Sequence, residues 1–494
     1  MARQQETEKV FKKLDENLGY LKKRLDIGEV NFDVILRELA IGGKKSAFLF
    51  VDGLTNNEVF TLLLQILTRL KKEDLLPNPV QKLVEEALPH MEITLSEDLE
   101  ELIKEVLAGQ VALFIDGERQ AVVIDIREYP IRSPEEPDIE KITRGSRDGF
   151  VETLVFNVAL IRRRIRDPQL RVEAIKIGRR SSSDVVLMYI KDIASPSIIE
   201  GIRSRINRID ADAFPMAEKS LEESIAGSSW NPFPKVRYTE RPDVAAATLL
   251  EGHVVILVDT SPSVMVAPVT FFHHLQHAEE YRHNSLTGTY IRWVRAAGVL
   301  LSFFLIPVWL LLATEAKYLP PFLSFIGPKE KANLPLFLQF VIAHFGLDLI
   351  RMASVHTPTP FATALGLVGA LLIGEIAVEV GFFTPEVLLY TGIIAIGVFS
   401  TPSWELSMAN RVVLLAQIVL TGLFKLPGLL IGAGLLLLGL ATTKSFGFPY
   451  LWPLIPFEGK ALFRIFYRQP FYAQRFRPGF LQTIDRDRLK EPPK

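Results

Sequence analysis

The sequence predicts an α/β cytosolic region of two similar subdomains followed by an all-α polytopic transmembrane domain. Two observations predict the second half. Phe361–Leu440 is apolar apart from Glu375, Glu379, Glu386, Glu405, Arg411 and Lys425. Ala296–Ala313 carries no charge at all. A hydrocarbon core of ~30 Å needs about 20 apolar residues per helix, so these runs hold four to six crossings. The third observation lies upstream, where short apolar runs alternate with amphipathic helical patterns up to about residue 266.

Residues 1–30 read as a charged N-terminal helix and linker with no apolar signal-peptide core. Subdomain 1 covers 31–145. In it SAFLFVDGL (46–54) reads as a buried strand, Thr55–Lys72 and Leu99–Leu107 as helices, and QVALFIDG (110–117) with QAVVIDI (120–126) as a hairpin. Subdomain 2, 146–266, repeats this plan. Phe50–Asn56 aligns with Tyr189–Ser195, and EVLAGQVALFIDG (105–117) with TLLEGHVVILVDT (248–260), each at an offset of about 140 positions. Alternating strands and helices favour a mixed or parallel sheet. Asp148–Ile165 reads as a helix ending in Arg162, Arg163, Arg164 and Arg166, a candidate assembly surface.

A linker helix over 267–295 leads to the membrane domain, 296–443. A cytoplasmic C-terminal tail follows over 444–494. Arg292 and Arg295 precede the first span, which places the preceding chain in the cytoplasm; an even number of crossings then makes both termini cytoplasmic. Trp293, Trp404 and Trp452 fall near span ends, as interfacial anchors do. Leu334–Met352 is amphipathic, with His344, Asp348 and Arg351 along it; it either spans while lining something polar or lies in the interface. TPSWELS (401–407) reads as a broken or re-entrant element.

Net charge is −1, so no bulk attraction to nucleic acid is implied, and the absence of cysteine excludes disulfides and thiolate chemistry. No phosphate loop or dinucleotide fingerprint is present. IRRRIRDP (161–168) and GRRSSSD (178–184) suit either phosphate or a solvated charged face. No acid/base pair stands out, so the chain is expected not to be an enzyme and to need no cofactor. His273, His277 and Glu280 recur at helical spacing, which suits either a divalent metal or the polar side of a linker helix. Inside the apolar run, Gly366, Ala370 and Gly374 form a small-residue stripe for close helix packing. Glu375 and Glu379 lie one turn apart. They either face a pore or pair internally with Arg351, Arg411 or Lys425.

RGSRDGFVETLVFNVALIRRRIRDP (144–168), WNPFPKVRYTERPDVAAATLLEGHVVILVDTSPSVM (230–265), GLVGALLIGEIAVEVGFFTPE (366–386), FSTPSWELS (399–407) and KSFGFPYLWPLIP (444–456) resemble the hallmark segments of the spore germinant receptor A subunits, the GerA family. PMAEKSLEES (215–224) fits a sporulation branch of it. SVHTPTPFA (354–362) departs from the family's usual basic loop. The resemblance implies a multi-pass protein of the endospore inner membrane that joins a homo-oligomeric, pentameric ring releasing monovalent cations. For the sporulation branch it implies partnership with a small membrane protein. The alternatives are a secondary transporter of a small solute and a non-conducting scaffold for other germination proteins.

Overall fold

The computed structural model describes residues 8–88, 92–128, 140–227, 230–315, 327–329, 333–356 and 376–488, together with Gly366, Gly369 and Gly374. Two compact units emerge. The first comprises Met1–Gly227, Tyr238–Pro268 and Tyr472–Lys494; the second comprises Ser228–Arg237 and Val269–Phe471.

The first unit holds two five-stranded sheets. One contains β1 (Val34–Ile41), β2 (Lys44–Val51), β3 (Ile93–Ser96), β4 (Val111–Ile115) and β5 (Ala121–Ile124), in the order β1-β2-β4-β5-β3. The other contains β6 (Leu170–Ile177), β7 (Ser183–Ile190), β8 (Arg237–Thr239), β9 (Val254–Val258) and β10 (Val264–Ala267), in the order β6-β7-β9-β10-β8. The second order is the first with every strand advanced by five, so the repeat read from the sequence is a duplicated topology.

The pairings β1–β2, β2–β4, β4–β5, β3–β5, β6–β7, β7–β9 and β9–β10 are all antiparallel, which corrects the mixed or parallel expectation. The reason lies in the burial. Along β2, Ala47, Leu49 and Val51 face one hydrophobic cluster and Phe48 and Phe50 face another. Helices α1 (Leu14–Leu25) and α3 (Leu99–Leu107) cover the first face, and α2 (Asn57–Arg69) covers the second. A strand buried on both sides reads as a continuous apolar run, the pattern usual for parallel sheets. The tight turns decide the direction. Gly42-Gly43, with φ of 53° and 77°, joins β1 to β2 in two residues, and such a connection forces antiparallel strands.

Helix α1 is part of this core and not a surface linker, since Leu14, Leu18, Leu21 and Leu25 are buried against the first sheet. Its partner in the second repeat, α4 (Leu154–Arg162), is shorter than the expected Asp148–Ile165 helix. The two starts are built alike. Asn17 accepts from Phe11 N at 2.8 Å and donates to Phe11 O at 2.6 Å; Asn157 makes the same pair with Val151 at the same two distances. Leu14 N donates to Asp116 Oδ1 at 3.0 Å, and Leu154 N to Asp259 Oδ1 at 3.2 Å. Each aspartate satisfies an orphan amide and puts a negative charge at a helix N-terminus. The second repeat also holds α5 (Pro196–Asn207), α6 (Ala217–Ala226) and α7 (Pro242–Glu251), and in the first repeat the short helical turns Lys72–Leu75, Pro79–Lys82 and Leu83–Ala87 follow α2 and pack on its cluster. Part of the expected tail also belongs here: Ile484 N donates to Ile193 O at 3.0 Å, and Arg477 Nε to Leu250 O at 2.9 Å.

The second unit is helical. It contains α8 (Ser285–Thr314), α9 (Leu336–His356), α10 (Pro385–Phe399), α11 (Trp404–Thr442) and the short α12 (Gly459–Phe466). Among the described residues, α8, α9 and α11 are long and apolar enough to cross a membrane, while α10 is apolar but shorter. The 39-residue α11 is broken at Lys425, whose φ of 57° and ψ of −131° are non-helical, two residues before Pro427. Its limbs fold back on each other. A Cβ on Gly428 would run into Leu420 O, and one on Gly432 would lie 3.1 Å from Gln417 Cγ. In a straight helix Gln417 and Gly432 would be about 22 Å apart. The TPSWELS segment is the corner between α10 and α11, with Ser403 capping α11 by accepting from Leu406 N.

Candidate polar sites in the helical unit

The expected linker helix over 267–295 is two 3₁₀ turns, Phe271–Leu275 and Ala278–Arg282, followed by the start of α8. This separates the proposed metal ligands. His273 Nδ1 lies 2.8 Å from Thr270 Oγ1 and 3.1 Å from Thr270 N. His277 caps the second turn by accepting from Glu279 N at 3.2 Å. Glu280 is fully buried and paired with both Arg292 and Arg295. The trio shares no helical face, and its only carboxylate is paired with two guanidiniums, so the helical spacing that suggested a metal does not occur.

The neighbouring His274, which the spacing argument passed over, sits where several hallmark segments meet. Its Nδ1 lies 3.2 Å from Ser403 Oγ in the TPSWELS segment, and its ring is 6.0 Å from that of Tyr450 in the KSFGFPYLWP segment. Phe271 and Phe233 stand 6.2 and 6.4 Å from the same tyrosine ring. Asn231 Nδ2 donates to Thr443 Oγ1 at 2.7 Å, and Ser445 Oγ donates to Lys235 O at 2.6 Å. Burial, with help from the charge of Arg237, pushes His274 down to about 3; burial and then Glu405 hold the Tyr450 hydroxyl well above the ordinary phenol range. Both groups are therefore neutral at physiological pH. The junction is a packed hub, and neither of these two groups is poised for proton transfer near neutral pH.

The apolar helices carry a second cluster. Asp348 on α9 is ion-paired with Arg411 on α11. Arg351, one turn further along α9, lies with its guanidinium 3.8 Å from the Trp404 ring centroid and 5.5 Å from that of Phe399. Lys425, at the break in α11, is paired with Glu315 at the end of α8. Charges held this way avoid the cost, about 2.5–3.5 kcal/mol each, of facing lipid unpaired. Glu379, in the short turn Ala377–Glu379, is exposed. Arg411 and Lys425, two of its three expected internal partners, are engaged elsewhere. Glu375 lies outside the described residues, as does Ala370 of the small-residue stripe. Among the described residues nothing stands within 4 Å of a Cβ on Gly366 or Gly374, so the close packing expected of them is not seen there. It occurs instead where α8 crosses α10, with a Cβ on Gly397 falling 2.8 Å from Gly298 O.

The arginine surface predicted on α4 is also rearranged. Arg162 is 1 % exposed and grips Asp33 with three contacts of 2.9–3.0 Å. Arg164 is paired with Asp148, leaving Arg163 and Arg166 as the exposed members.

A helical unit with apolar helices long enough to cross a membrane, following a duplicated α/β unit, defines a membrane protein with a large soluble domain. The Bacillus/Clostridium GerA spore germination protein family matches residues 20–480, and the chain belongs to that family. It is 45% identical to "Stage V sporulation protein AF" of Bacillus subtilis (strain 168) over 98% of both chains. It is 30% identical to "Spore germination protein GerLA" of Bacillus cereus, covering 96% of this chain and 97% of that one. Against "Spore germination protein KA" of Bacillus subtilis (strain 168) the identity is 29%, covering 98% and 90%. The crystal structure of the N-terminal domain of the A subunit of the Bacillus megaterium spore germinant receptor GerK3 aligns with a TM-score of 0.43 and 27% identity, covering 54% of this chain and 98% of that one.

Proposed function

We propose that this chain is a multi-pass, non-enzymatic protein of the endospore inner membrane, acting in germination as a subunit of a homo-oligomeric channel for monovalent cations. The observation that carries the reading is Glu379. It is an exposed carboxylate on an apolar helical unit, with Arg411 and Lys425 already committed to Asp348 and Glu315. A carboxylate in that setting needs water or a neighbouring copy, and repetition around a ring turns it into an acidic vestibule that concentrates cations. Two further features support the topology. Residues 472–488 pack in the same unit as the N-terminal repeats, which favours an even number of crossings with both ends on one side. Arg292 and Arg295 before the apolar part of α8 favour the cytoplasm as that side. The relatives named for sporulation and germination support the process, and the family resemblance supports a pentamer and a small membrane-protein partner.

Cation flux from liposomes carrying the purified chain tests this. Glu379→Gln is expected to lower flux or cation selectivity with the oligomer size unchanged. Wild-type protein that assembles and passes no ions would favour the scaffold reading. Saturable, solute-specific counterflow would favour a transporter.

A further inference from the structure

A cavity of about 250 Å³ lies within the helical unit between α8 and the second limb of α11. Phe303 and Phe304 from α8, Leu437 and Leu440 from α11, Phe272 and Ile465 contribute its apolar walls. One end is different. There Glu280 and Arg292 line it, and Arg295 shares the same carboxylate. Two guanidiniums against one buried carboxylate leave that end with a net positive charge. Arg292 Nη1 also donates to the carbonyls of Arg464 and Ile465 at 3.0 and 3.2 Å, which ties the end to α12.

Three observations identify what fills the cavity. The lining residues Leu300 and Leu437 are 60% and 59% exposed, and both belong to helices apolar and long enough to cross a bilayer. The opening they border therefore faces hydrocarbon. From Arg292 to Phe304 the helix rises about 18 Å, against about 15 Å for the hydrocarbon of one leaflet; the cavity thus runs the depth of a single leaflet. Beside the charged end, α12 is amphipathic, with Phe463 and Lys460 exposed and Arg464 in its last turn, as in helices that lie at the headgroup level. Trp293 Nε1 donates to Phe466 O at 3.0 Å and fixes α12 against α8 at that level.

We propose that this cavity is a lipid site that holds one acyl chain of an anionic phospholipid from the cytoplasmic leaflet, with the headgroup beside Arg292 and the basic residues of α12. The inference rests on the membrane reading of the helical unit and is independent of ion conduction. The chain would occupy the groove between α8 and the hairpin, so the lipid becomes part of the packing between them.

The test uses the full chain in vesicles containing phosphatidylglycerol with a photoreactive group midway along one acyl chain. The adduct is mapped by mass spectrometry after digestion. Label is expected in the peptides carrying Leu300 and Leu437. Leu300→Trp fills the opening from an exposed position, so folding is preserved; it should cut labelling about tenfold, because several methylenes lose their buried contact. Leu430→Trp, exposed on the same limb of α11 but outside the cavity lining, should leave labelling unchanged. Phosphatidylcholine carrying the same group should label several-fold less. Equal labelling of the two tryptophan variants would overturn the site, as would cross-links between two copies through Leu437→Cys, which would place a neighbouring chain in the opening. Equal labelling by both lipids would overturn the anionic preference.

Discussion

In the first repeat of the soluble unit, α2 turns Phe60, Leu63 and Leu67 inward and leaves Leu62 and Ile66 58% and 45% exposed. In the second, the matching α5 buries Ile198, Ile199, Ile202 and Ile206, and α6 packs beside it, with Arg205 Nη1 bonded to Ile225 O at 2.7 Å. The second repeat also carries the returning tail, whose Thr483 Cγ2 would collide with a Cβ on Gly252. One duplicated frame thus has a closed copy and an open copy. The closed copy has spent its outer surface on its own chain, and the open copy presents an apolar helix face. Duplication preserved what holds each sheet and its helices together, while the surfaces diverged.

The frame joins its copies through a few buried polar contacts, and breaking one should have the largest effect. Asp33 precedes β1 and Arg162 ends α4, so their pair links the repeats directly. Arg162→Met leaves Asp33 charged and buried, and should cost about 3–5 kcal/mol. Replacing both residues by apolar ones of similar volume should recover most of it, because the unpaired charge is then gone. Hydrogen exchange on the purified full chain reads both outcomes. A single variant as well protected as wild type would mean that the pair does not hold the repeats.

A smaller effect tests whether the copies are energetically as well as geometrically alike. Asn17→Ala and Asn157→Ala each remove two short bonds to the backbone, of Phe11 in one case and Val151 in the other. Each should cost about 1–3 kcal/mol. The costs should match, and the loss of protection should centre on the amides of Phe11 in one case and Val151 in the other. Unequal costs would show that one copy no longer relies on the shared device.

Much of this frame was legible in sequence. The alignment of EVLAGQVALFIDG with TLLEGHVVILVDT marks the helix, strand and capping aspartate that recur as α3, β4 and Asp116, then α7, β9 and Asp259. Strand direction was not legible, because two-sided burial hides the alternation that would betray an antiparallel sheet. β1 was missed for the opposite reason: VILRELAI is an edge strand, and its charged residues dilute the apolar signal. In the helical unit, composition located the apolar helices, and Lys425 with Pro427 interrupts the apolar run where α11 reverses. The site residues were least legible. His274 differs from His273 by one position, and only the fold places it against Ser403 and Tyr450. Arg162 lies in a basic cluster that looks like a surface, and its partner Asp33 is far away in sequence.

The smallest effect on stability bears most directly on the open copy. Leu62 and Ile66 sit one turn apart on the outer side of α2, so their side chains form one patch. Exposed in the single chain, they contribute little to its folding, and Leu62→Ser with Ile66→Ser should change stability by no more than about 0.5 kcal/mol each. If the open copy is an assembly surface, the same double variant should shift the detergent-solubilised protein toward smaller species, because burying two such side chains at an interface is worth roughly 1.5–3 kcal/mol apiece. Glu223→Ser, exposed on α6 of the closed copy, supplies the control. Mass photometry of the three proteins at matched concentration separates the outcomes. A double variant with the oligomer distribution of Glu223→Ser would remove α2 from the assembly, and the difference between the copies would then concern only how each protects its own core.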